Sequence, residues 1–90
     1  MITTVDLLNR LRVEKQLVSD RQVAKYLDIS QASVQKWRNG GTMGDDIACE
    51  VADMLGLDVD LVLLAIIAER SKNGRAIEAF KRLTDDKKIA

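Results

Sequence analysis

The chain has no histidine, no proline and a single cysteine, Cys49. Without histidine it lacks the commonest acid–base group and metal ligand. One thiol allows neither an intramolecular disulfide nor a cysteine zinc site. Cys49 stands close to Ile47 and Val51 and reads as a small buried hydrophobe. No carboxylate cluster accompanies a pocket motif, so no catalytic constellation emerges and an enzyme is the weakest functional class. Nothing points to a cofactor or a small-molecule substrate. Glycines number only five. With abundant Leu, Ala, Lys, Arg and Gln, this favours an all-α chain of five to six short helices. No apolar run reaches the length of a membrane span. The opening "MITTVDLLNRLRVEKQ" carries charges inside its apolar pattern, unlike a signal peptide. The expected location is a reducing cytoplasm. A length of 90 residues fits one domain with a single small core.

Net charge is also missing: 14 Lys and Arg balance 14 Asp and Glu. The average hides a strong segregation. Residues 1–42 hold seven basic and four acidic residues. Residues 43–69 hold seven acidic residues and no basic one. Residues 70–90 hold seven basic and three acidic residues. Such asymmetry lets one side attract phosphates while another repels them.

What is present is helical patterning. A first helix is expected from about Thr4 to Gln16, capped by Thr3 or Thr4, with Val5, Leu7, Leu8 and Leu11 as its apolar stripe. "SDRQ" reads as a capping box in which Ser19 and Gln22 satisfy each other's backbone amides. It opens a second helix whose apolar face is Val23, Ala24 and Leu27. "DIS" breaks that helix, and Ser30 caps a third from Gln31 to about Arg38. "NGG" ends the third, with Gly40 free to take a positive φ. A fourth helix is expected over Gly44 to Leu55, facing Ile47, Val51, Met54 and Leu55 inward. Met43 and Met54 read as packing residues. Gly56 ends the fourth helix. Asp58 caps a fifth from Val59 to about Lys72, and "NG" at 73–74 stops it. "RAIEAFKRL" makes a sixth, with Ile77, Phe80 and Leu83 as its stripe. The closing "TDDKKIA" reads as frayed.

Two short helices joined by a tight turn form a helix-turn-helix unit. Ala24 is small enough for the helices to meet closely, and Asp28 is a tolerable occupant of the turn. At about 100° per residue, Val34 and Trp37 share one face of the third helix. Gln31, Ala32, Gln35, Lys36 and Asn39 share the opposite face. These are side chains that read base edges: Gln and Asn pair with adenine, Lys with guanine, and the Ala methyl meets the thymine methyl. Trp37 is assigned to the core. Arg10, Arg12 and Lys15 either line the same side or form a solvated helix face.

"RQVAKYLDISQASVQKWRNG" resembles the helix-turn-helix of the phage Cro and repressor class, through "VA" at 23–24, Gln31, Val34 and "NG" at 39–40. The resemblance covers about residues 4 to 56. Asp28 departs from the glycine usual at the turn, which implies a small strain rather than another fold. The resemblance implies a lambda-repressor-like bundle with its core unit over 1–57; the helices over 58–84 lie outside it and read as a C-terminal extension. It implies a sequence-specific regulator that binds double-stranded DNA at an inverted-repeat operator. Gln31, Ala32, Gln35 and Lys36 would then contact bases, and Gln22, Ser33, Arg38, Asn39 and Thr42 phosphates.

In "VDLVLLAIIAE" nine of eleven residues are apolar. Such a helix is enclosed by the rest of the fold or covered by a second copy. A homodimer through Leu63, Ile66, Ile67, Ile77 and Phe80 is expected, because one recognition helix reads too few base pairs to select a genomic site. Two other functions fit the same motif. One is an antitoxin that represses its own operon while its last helices hold a toxin. The other is a phage excision or recombination accessory protein that bends DNA.

Overall fold

A computed structural model describes residues 1–84. The expected fraying beyond Thr84 lies outside the described residues. Six helices run in chain order: α1 (Thr4–Glu14), α2 (Asp20–Leu27), α3 (Gln31–Arg38), α4 (Asp45–Met54), α5 (Val59–Ser71) and α6 (Gly74–Leu83). No strand occurs among the described residues. The chain is a small all-α bundle.

Five helices start where a side chain satisfies an otherwise unpaired amide. Thr3 accepts from Asp6 N–H, Ser19 from Gln22, Ser30 from Ser33, Asp58 from Leu61 and Asn73 from Ala76. Each such cap stabilises its helix by about 1 kcal/mol. Thr3 is the cap of α1, in a reciprocal box with Asp6. At α2 the expected reciprocity is absent. The Gln22 carboxamide oxygen accepts from Val18 N–H at 2.9 Å instead of from Ser19. Asn73 corrects another reading: it opens α6 rather than closing α5, whose end is the left-handed residue Lys72.

The first four helices stop in one way. A residue at the cap or just after it takes a positive φ, and its amide and the next fold back onto the last turn. Gln16, Asp28, Gly40 and Gly56 hold the positive φ. The second folded-back amides are Leu17 N to Arg12 O at 2.8 Å, Ile29 N to Ala24 O at 2.9 Å, Gly41 N to Lys36 O at 2.9 Å and Leu57 N to Ala52 O at 2.9 Å. Leu17, Ile29 and Leu57 then turn inward against the core. A Cβ on Gly41 would stand 2.9 Å from the Lys36 carbonyl oxygen, so this position needs glycine.

The core gathers Leu7, Leu8 and Leu11 of α1, Val23 and Ala24 of α2, and Val34 and Trp37 of α3. Ala48, Val51 and Ala52 of α4 complete it with Val62, Ala65 and Ile66 of α5. The inward face of α4 differs from expectation. Ile47, Met54 and Leu55 are only half-buried, and Ala48 and Ala52 take the sealed positions. Small residues there let α4 approach α5 closely, which length of side chain alone does not reveal. Met43 is sealed, whereas Cys49 is half-buried. No described helix is long and apolar enough to cross a membrane.

Candidate nucleic-acid interface

The face of α3 is set by its two anchors. Val34 and Trp37 are 1% and 4% exposed, so the helix cannot rotate without emptying the core. That fixes Gln31, Ala32, Gln35 and Lys36 outward, all exposed, with Asn39 exposed at the helix end. The expected base-reading set therefore stands together on one face. No described acidic side chain interrupts α3 itself. Exposed Arg21 and Lys25 lie on the neighbouring α2.

The expected phosphate set is less uniform. Gln22 is exposed at the start of α2, with its oxygen engaged by Val18. Ser33 is half-buried, and its hydroxyl lies 3.0 Å from that of Ser30, the cap of α3. Thr42 is half-buried in the loop after α3. Arg38 is a correction, because its guanidinium is occupied inside the molecule. Nε and Nη2 form a fork on Asp20, at 3.0 Å to Oδ2 and 2.9 Å to Oδ1, and Nη1 donates to Asn9 Oδ1 at 2.8 Å. This fork ties the end of α3 to the start of α2 and to α1. Hydrogen bonding from Arg38 holds the Asp20 carboxyl below the usual aspartate range; burial opposes it, and the charges of Arg38 and then Arg12 add to the lowering. Arg12 is likewise structural. It donates to Val18 O at 2.7 Å and stands 3.8 Å from Asp20. Arg10 and Lys15 remain on an exposed surface of α1 and the turn after it.

The expected partner-facing residues also divide. Ile66 is fully buried within one copy, which removes it from any contact surface. Leu63, Ile77 and Phe80 are half-buried, and Phe80 packs against the core. Ile67 is 41% exposed. Leu64, which sequence reasoning missed, is 51% exposed and lies on the same side of α5 as Ile67. With apolar residues all around this helix, its hydropathy carried no signal of which side faces out.

No protein-family model, curated protein or solved structure matches this chain. The candidate interface therefore rests on the residues themselves.

Proposed function

We propose that this protein is a sequence-specific DNA-binding regulator that inserts α3 into the major groove of an inverted-repeat operator and acts as a homodimer. The observation that carries the reading is the division of α3. Val34 and Trp37 lock one side in the core, while Gln31, Ala32, Gln35 and Lys36 stand exposed on the other. A rigidly held helix with hydrogen-bonding side chains along one outward face is what major-groove readout requires. The likeness of residues 21–40 to the phage repressor pattern supports the same reading. So does the basic balance of residues 1–42. In this reading the base contacts come from Gln31, Ala32, Gln35 and Lys36, and phosphate contacts from Gln22, Asn39 and Thr42. Removal of Ile66 leaves Leu63, Leu64, Ile67, Ile77 and Phe80 as the partner-facing set.

Selection from a random duplex library should return a defined sequence. On that sequence Gln31→Ala and Lys36→Ala should each weaken binding by roughly 1–3 kcal/mol, with little loss on unrelated duplex. Selection that returns no enriched sequence, or variants that bind the enriched site like the parent, would remove α3 from the recognition role.

A further inference from the structure

Two adjacent residues in the last turn of α5 reach back to the first turn of α1 and to the loop that follows α3. One Glu69 carboxylate oxygen accepts from Thr4 N–H at 3.0 Å and from the Thr4 hydroxyl at 2.7 Å. Thr4 opens α1, where an amide lacks a partner within the helix and negative charge is favoured. The same Thr4 oxygen, fully buried, accepts from Met43 N–H at 3.1 Å. Arg70 Nη2 donates to Met43 O at 2.9 Å and to Asp45 Oδ1 at 2.6 Å. Met43 is thus held by both of its backbone polar groups, and its side chain is sealed in the core. Residues 41–44 have no regular secondary structure of their own. Beyond the Gly41 amide, which folds back on α3, their course is set by Glu69 through Thr4 and by Arg70 directly.

We infer that Glu69 and Arg70 are positioning residues for DNA contact. From α5 they hold the 41–44 loop, and with it Thr42, where it meets the phosphate backbone. The inference rests on the DNA-binding reading above and extends it, since α5 touches no nucleic acid in that reading. It also links α5, which exposes Leu64 and Ile67 to a partner, with the loop that flanks the recognition helix.

The sign of one substitution separates positioning from bulk electrostatics. Glu69→Ala removes a negative charge, and long-range attraction alone would then tighten binding to DNA. Positioning requires the opposite: binding to random and operator duplex should weaken about three- to tenfold, the scale of one lost hydrogen bond. The slope of log affinity against log salt should stay close to the parent's, because Thr42 is uncharged and its phosphate contact releases no counterion. Glu69→Gln, which keeps an acceptor oxygen, should restore parent-like binding. Thr4→Val breaks the same bridge with no change of charge and should weaken binding in the same way. It is the deciding variant should Glu69→Ala not fold. Hydrogen exchange at the Met43 amide, measured without DNA, should speed up in both bridge-breaking variants. A folded bridge-breaking variant that binds as tightly as the parent, or more tightly, would overturn the inference and leave the DNA reading intact. Failure of the parent protein itself to bind duplex DNA would overturn both.

Discussion

Asp28 is one of three described non-glycine residues with a left-handed backbone, beside Gln16 and Lys72. Its φ of 57° and ψ of 47° place it in the left-handed region, which costs an L-residue about 1–2 kcal/mol. The α2–α3 turn needs that conformation so that Ile29 can fold back onto Ala24. Asp28→Gly should therefore raise stability by roughly 0.5–1 kcal/mol, after the greater chain entropy of glycine is subtracted. Urea denaturation would show a higher midpoint at unchanged slope; a lower midpoint would mean that the Asp28 side chain itself stabilises the turn. The second telling pair is Asp20 and Arg38. Because the Asp20 carboxyl is held below its ordinary range when folded, its contribution is complete at neutral pH. That contribution fades as pH falls through the carboxylate range toward the lowered folded value. A double-mutant cycle with Asp20→Asn and Arg38→Gln should give a coupling of roughly 1 kcal/mol at pH 7, the upper end for a partly exposed pair. The coupling should shrink below about pH 4. A coupling that stays constant down to pH 2 would deny the fork its ionic character. Neither partner was legible beforehand, because they stand 18 residues apart on different helices. No local spacing marks such a pair, so Arg38 read as a phosphate contact.

Helix starts were legible at Ser19, Ser30 and Asp58, where a short polar side chain precedes an apolar pattern, but not at Asn73, which read as the stop of α5. Helix ends were legible where glycine supplied the positive φ, as at Gly40 and Gly56. They were obscure at Gln16 and Lys72, which adopt the same conformation without glycine's freedom. The third helix was the clearest element, because its two large apolar residues, Val34 and Trp37, fall on one side. Trp37 anchors it. Trp37→Ala should destabilise the protein by roughly 3–5 kcal/mol, enough to unfold a domain of ordinary stability. Thermal denaturation followed by circular dichroism would settle this. A variant with an unchanged melting point and impaired DNA binding would instead make Trp37 a contact residue. The fifth helix was the least clear. Its sequence announces burial on every side, and only packing against α4 and α6 decides that Ile66 goes inward and Ile67 outward.

That adjacent pair gives a test for the whole molecule. Ile67 is 41% exposed whereas Ile66 has no exposure. Ile67→Glu should leave a folded chain that sediments as a monomer at micromolar concentration and loses operator affinity. Ile66→Glu should unfold it. A two-fold dimer would set two α3 helices about 34 Å apart, one helical turn of duplex. A parent protein that is monomeric both free and on an operator would rule out this assembly.

The bonds from Thr4 to Glu69 join residues 65 positions apart. Drawing chain ends of that separation together costs about 4 kcal/mol of entropy. Part of the compensation comes from Val62, Ala65 and Ile66, which α5 adds to the core of the first four helices. Truncation after residue 57 would therefore take Glu69 from Thr4 and Val62, Ala65 and Ile66 from the shared core, leaving the first four helices with an open flank where α5 packs in the whole chain.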